Sequence, residues 1–178
     1  MKNMSIQNLL PAHLRQILLP DGEALPDDGW ICGKLHCPCG SETFRVKTFA
    51  DTSPEKFIRV TPHQNGFALA VTAECTVCGK EWLIFDYAMH GYEAVVCGMG
   101  VQSCQEQMER RSCPGCAGDA FAVRISIETE DPEDFVHELG NEGFSTEDAA
   151  EAFSWITMDL TCTDCRRESP GWLDLETS

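Results

Sequence analysis

Basic side chains are scarce in this chain. Thirteen Lys and Arg stand against 29 Asp and Glu in 178 residues, a formal net charge of −16. Phosphate backbones are gripped through Lys and Arg contacts, so the composition disfavours binding to nucleic acid. The shortage is uneven: residues 1–29 carry a net −2, residues 30–97 a net −1 and residues 98–178 a net −13. Long apolar runs are missing as well, and none approaches the roughly 20 residues of a membrane span. The N-terminus, Met1-Lys2-Asn3-Met4-Ser5-Ile6-Gln7, has neither an apolar h-region nor a small-residue cleavage site. A cytoplasmic location is therefore expected. No Gly-rich phosphate loop occurs anywhere.

What the chain does have is cysteine, eleven in all. An odd count, close pairs and no export signal favour bound metal over disulfides. Eight of the cysteines fall into two sets. Cys37, Cys39, Cys75 and Cys78 form the first, and Cys113, Cys116, Cys162 and Cys165 the second. Each set is a close pair, a long β-patterned insert and a second close pair. Four thiolates around one ion make a closed tetrahedral site with no position open to a substrate. Gly40, Gly79 and Ala117-Gly118 stand where the chain must bend back past the metal. With two Zn(Cys)₄ centres the net charge becomes −20, each centre adding −2.

These paired knuckles resemble the zinc-ribbon (rubredoxin-like) fold group, over about residues 35–87 and 111–174. The resemblance implies two structural Zn²⁺ ions. It implies no particular activity, because ribbons serve transcription, translation, enzyme assembly and partner docking alike. Iron is the other metal four thiolates accept, and electron transfer would be its consequence. The first set departs from the pattern, with one residue between Cys37 and Cys39 where two are usual. His36 or Cys32 is then an alternative ligand, although Cys37-Pro38 mirrors Cys113-Pro114. Cys113-Pro114-Gly115-Cys116 also looks like a thiol-oxidoreductase pair. That chemistry needs a helix N-terminus at the first cysteine, and strand alternation follows instead. Cys32, Cys97 and Cys104 read as free thiols, a third metal site with His36 or His90 being the sharper alternative.

The two sets belong to an internal repeat. Cys39, Phe44 and Val46 recur as Cys116, Phe121 and Val123, 77 positions on, while Cys75 and Cys78 recur as Cys162 and Cys165, 87 positions on. Copy two thus carries ten extra residues between its pairs. The expected fold is mainly β with short helices (α+β): an N-terminal helix and linker over 1–29, then two tandem ribbon-like units at 30–97 and 98–178. Leu9, Leu10, Leu14, Ile17 and Leu18 suggest an amphipathic helix within residues 1–20. Phe44–Thr48, Phe121–Ile127, Phe67–Ala73 and Ser154–Leu160 alternate as strands. Phe57–Val60 reads as a further strand and Asn65-Gly66 as a hairpin turn. In the longer insert, Asp131-Pro132-Glu133-Asp134 signals a helix start, with Phe135, Val136 and Leu139 on its apolar face and Gly140 at its end. A second helix is expected from Ser145.

Two regions have no counterpart in the other copy. Asp86 and His90, with Tyr87 and Tyr92, suggest either a small polar acid/base site or a turn whose aromatics cover the junction. No Ser, Cys or Lys nucleophile accompanies them. Between Glu128 and Glu151 ten of 24 residues are acidic. Glu133, Asp134 and Glu138 there are candidates for an interaction surface facing a basic protein partner. Phe135, Phe144 and Phe153 are either anchors for that partner or core. The reading favoured is a protein-binding or adaptor module held together by structural zinc. An enzyme built on Asp86 and His90 is the alternative. A nucleic-acid-binding ribbon is the weakest, its only basic candidates in the first unit being Lys34, Arg45, Lys47, Lys56, Arg59 and Lys80.

Overall fold

The computed structural model describes residues 5–23, 26, 29–49, 61–63, 66–98 and 108–177. Its strands are β1 (Leu18–Pro20), β2 (Trp30–Leu35), β3 (Phe44–Phe49), β4 (Thr61–His63), β5 (Gly66–Ala68), β6 (Ala70–Cys75), β7 (Glu81–Asp86), β8 (Met108–Arg110), β9 (Phe121–Glu128), β10 (Trp155–Cys162) and β11 (Glu168–Glu176). The helices are α1 (Ile6–Leu9), α2 (Tyr92–Val95), α3 (Pro132–Leu139) and α4 (Thr146–Glu151). Among the described residues no helix is long and apolar enough to cross a membrane.

Nine strands make one curled antiparallel sheet, and β4 and β5 form a separate hairpin. β9 and β10 bury alternate residues, so one face of each meets the core while the other is half in water, the period-two signature of a one-sided sheet. The repeat sets the register. Phe44 pairs with Cys75 in copy one, and Phe121 with Cys162 in copy two. Phe44 and Phe121, which occupy the same place in the repeat, also pair with each other. That pairing is the centre of an internal two-fold arrangement. The strand leading into each copy lies against the other copy: β2 runs along β9, with Lys34 opposite Arg124, and β8 runs along β3, with Arg110 opposite Lys47. The leading strands are exchanged, and a single buried cluster draws on both copies, Val46, Val71 and Ile84 meeting Val123, Ile125 and Met158.

The N-terminal helix expected over residues 1–20 is one turn only. α1 ends at Leu9, and Leu10, extended at φ −78° and ψ 142°, precedes Pro11, as clash with the proline ring demands. Turns follow, and Leu18–Pro20 joins the sheet beside β2. Pro20 is tolerated there because β1 is an edge strand. The apolar spacing was informative nonetheless: Leu9, Leu10, Leu14, Ile17 and Leu18 are all buried. Burial, not helix, is what that spacing encodes.

The acidic insert folds as its caps predict. The Asp131 carboxylate accepts from Glu133 N–H at 2.8 Å, and Pro132 opens α3. Ser145 and Asp148 form a capping box at α4. Phe135, Ala149 and Ala152 build a small second core with Tyr92, Val95, Leu139 and Phe144 around it. Phe135 and Phe153 are buried, so they pack the interior and are not surface anchors. The hairpin forms between Thr61–His63 and Gly66–Ala68, while Asn65 and the expected strand at Phe57–Val60 lie outside the described residues.

Candidate metal centres

Four knuckles share one backbone geometry. The first cysteine of each donates its N–H forward: Cys37 to Ser41 O (2.8 Å), Cys75 to Lys80 O (2.9 Å), Cys113 to Gly118 O (2.7 Å) and Cys162 to Arg167 O (2.9 Å). Its carbonyl accepts from the residue at the bend, Gly40, Gly79, Ala117 and Arg166 respectively. All four of those bend residues are left-handed, at φ 92°, 72°, 61° and 63°. The first knuckle closes one residue earlier because Pro38 alone separates its cysteines. Strand pairing then brings the knuckles of each copy together. Thr76 N–H donates to Thr43 O and Thr163 N–H to Ala120 O, at 3.1 and 3.0 Å.

The eight sulfurs predicted as ligands converge as two groups of four, the atoms of each group lying within 4.8 Å of one another. Cys37–Cys78 and Cys39–Cys75 are 3.6 and 3.5 Å apart, and Cys113–Cys165 and Cys116–Cys162 are 3.5 and 3.6 Å apart. A disulfide would need about 2.05 Å. Four sulfurs bonded tetrahedrally at about 2.3 Å stand roughly 3.8 Å apart, close to what is seen. The donor set therefore fits one tetrahedral metal ion per group. His36 and Cys32 are not members of the first group. His36 Nδ1 lies 3.8 Å from Glu42 Oε1, and Cys32 sits within β2 opposite Ser126. Cys97 is an exposed thiol, and Cys104 lies outside the described residues.

Thiol ionisation is divided within each group. Burial pushes Cys37 up to about 12. Burial also opposes ionisation of Cys75, but the N–H groups of Cys78 and Val77 outweigh it and hold that thiol at about 6. In the second group the Gly115 N–H, 3.4 Å from the sulfur, leads in holding Cys113 at about 7. Cys116 has the Gly118 N–H working to lower it, yet the Cys165 and Cys162 sulfurs carry it up to about 12. Four crowded thiolates are not compatible without a cation, and metal binding expels the remaining protons. In each group two sulfurs are buried and two, Cys39 and Cys78 or Cys116 and Cys165, are exposed.

The Asp86–Tyr92 junction brings together residues that sequence spacing does not connect. His90 is 6% exposed, and its Nδ1 accepts from Asp86 N–H at 3.0 Å. The Asp86 carboxylate accepts from Ala88 N–H instead; burial raises its pKa. His13, unnoticed in the sequence, stacks on His90 with centroids 3.8 Å apart and planes 4° from parallel. His13 Nε2 donates to Ile84 O at 3.1 Å, and its Nδ1 is 3.9 Å from Glu151 Oε2. Glu151 also accepts from Ala12 N–H. Burial works to raise the Glu151 carboxyl, but His13 and the Ala12 N–H leave it below its usual range. Burial drives His90 down to about 4, helped by His13 and opposed by Glu151. The arrangement is a latch: the N-terminal segment, the junction after β7 and the end of the acidic insert meet at one stack of rings. Nothing in the spacing of residues 13, 90 and 151 announces it.

Three of the basic candidates of the first copy are engaged, while Lys34 is exposed and Lys56 and Arg59 lie outside the described residues. Arg45 pairs with Asp119 and Glu74, Lys47 with Glu74 and Glu81, and Lys80 Nζ sits 3.6 Å from the Trp82 ring centroid. No family profile, no curated protein and no solved structure matches the chain. Fold and sites define its class by themselves: a mainly antiparallel β protein with two four-cysteine metal sites, hence a structural metal-binding protein.

Proposed function

We propose that both sites hold Zn²⁺ as a structural ion, and that the chain is a cytoplasmic adaptor which binds a basic protein partner through its acidic insert. In this reading residues 30–97 and 98–178 are the two ribbon-like units and residues 1–29 lead into them. The observation that carries the structural role is the closure of each centre. Four sulfurs fill a tetrahedron, so the metal has no position left for chemistry. The binding role is supported by the exposure of Glu133, Asp134 and Glu138 on α3. Glu130 beside them has its pKa raised by burial and then by Glu138 and Asp134, the effect of like charges crowding each other. A basic partner would relieve that repulsion and would be steered toward it at low ionic strength.

The test is affinity capture from native lysate with the intact chain and with a Glu133→Lys, Asp134→Lys, Glu138→Lys variant. Metal content and melting temperature of the variant should match the parent. The reading expects the variant to lose its salt-sensitive partners. If the variant keeps every partner, the acidic face is not the docking surface.

A further inference from the structure

Lys80 and Arg167 occupy the same place in the two copies, 87 positions apart, and both carbonyls accept the N–H of the first knuckle cysteine at 2.9 Å. Their side chains go different ways. Lys80 is drawn onto the Trp82 ring. The residue 87 positions beyond Trp82 is Ser169, which offers no ring. The knuckle opposite also differs, because Cys37-Pro38-Cys39 lacks the residue that Gly115 adds between Pro114 and Cys116. A Cβ at Gly115 would stand 3.2 Å from Arg167 Cδ, 3.7 Å from Arg167 Nη1 and 3.6 Å from Cys165 Sγ. Arg167 therefore lies along a bare stretch of the second knuckle, and its stem and Cys165 Sγ border the same space over Gly115. Asp164 adds a negative charge at the far side: a Cβ at Gly118 would be 3.2 Å from its carboxyl carbon and 3.3 Å from Cys116 Sγ.

We infer that Arg167 is the counter-ion of the second metal centre, positioning and neutralising its thiolates, and that among the described residues the first centre has no matching group because Lys80 is diverted to Trp82. The inference rests on the metal reading above. A tetrathiolate centre with a dication keeps a charge of −2, here in the half of the chain that already carries −13. A guanidinium turned from that shared space toward Cys165 offsets part of it. Gly115 is what makes room, since any side chain there would press on the Arg167 stem. The two centres are then unequal, and the second depends on a residue that is not a ligand. Removing outer partners of metal ligands commonly weakens metal affinity about 10–100-fold.

The test titrates metal-loaded, full-length protein with a chelator and alkylates each cysteine as it is released, read peptide by peptide. Arg167→Gln should lower by about tenfold the chelator concentration that exposes Cys113, Cys116, Cys162 and Cys165. The first set should stay protected as in the parent. Arg167→Lys should restore much of the protection, and Lys80→Gln should leave the first set unchanged. A parent and an Arg167→Gln variant that release the second set at the same chelator concentration overturn the inference while leaving the metal reading intact. So does equal weakening of both sets, which marks general destabilisation. Alkylation of all eight cysteines before any chelator is added overturns the metal reading itself.

Discussion

The two copies spend their differences in different places. Copy one has a knuckle shortened by a residue, a lysine parked on a tryptophan, and a latch after β7. Copy two has full-length knuckles, arginines at 166 and 167, and a helical insert. What they share is narrower: Phe44 opposite Cys75, Phe121 opposite Cys162, and the forward N–H···O bond of every knuckle. The sulfur geometry is thus carried by strand register and knuckle backbone, and side chains at the tips are free to diverge. Neither copy is closed on itself. β2 belongs to the sheet of copy two and β8 to that of copy one.

Removing one ligand from each copy in turn should have the largest effect. Cys78→Ser and Cys165→Ser should each reduce bound metal from two ions to one and lower the melting temperature greatly. Structural zinc contributes an apparent, roughly 10–16 kcal/mol of binding, of the same order as a typical domain's whole stability of about 5–15 kcal/mol. Because the leading strands are exchanged, either loss should melt both halves in one transition, followed by near-UV circular dichroism. Two separate transitions would mean the copies are independent despite the shared sheet.

Gly91 has φ 88°, and a Cβ there would fall inside the Thr177 side chain. Its N–H is held by Glu151 O at 3.1 Å. Gly91→Ala should therefore cost about 2–4 kcal/mol, from left-handed strain and overpacking together. Chemical denaturation would measure it, with both metals retained. Loss of a metal in this variant would show the latch supporting a centre.

The latch is also sensitive to acid. His90 titrates at about 4 when folded, against 6.5 for a free imidazole. The unfolded chain thus binds the proton more readily, and stability present above pH 6.5 is lost as pH falls from 6.5 toward 4. Between pH 7 and 5 the parent should lose about 2 kcal/mol relative to His90→Asn. Parallel pH profiles for the two proteins would remove His90 from the account.

The smallest effect concerns Arg166, the one bend residue of the four that is neither Gly nor Ala. Its φ of 63° costs a side-chain-bearing residue roughly 1 kcal/mol or more. Arg166→Gly should raise stability by about that amount in a thermal melt, and Gly79→Arg should lower it comparably. No gain from Arg166→Gly would mean that the arginine makes up its strain through contacts.

Much of this protein can be read from its residues in order. The eight ligands, the 77- and 87-residue offsets, the bends at Gly40, Gly79 and Ala117, and the caps at Asp131 and Ser145 all rest on neighbours within a few positions, where backbone chemistry dominates. The helix expected over residues 1–20 does not form because Leu10, Leu14 and Leu18 satisfy a helical period and a buried, irregular path equally well. Pro11 and the open edge of β2 decided between them. Arg166 and Arg167 were visible only by aligning the knuckles residue against residue. His90 stood out only beside Asp86, and nothing along the chain pointed to His13 or Glu151 as its neighbours.

Reading along the chain was enough to expect that two sets of four cysteines would each gather at one point, that strands would carry them, and that the acidic insert would be helical. Those outcomes follow from spacing, period and capping, which act along the chain. The folded chain alone reveals that β2 and β8 exchange partners about the Phe44–Phe121 pair, that a histidine stack ties the N-terminal segment to the insert, and that Arg167 lies over Gly115 while Lys80 is held on Trp82. Those depend on which surfaces remain unpaired once the strands have met, and Ala12 and Glu151, 139 residues apart, can recognise each other only then.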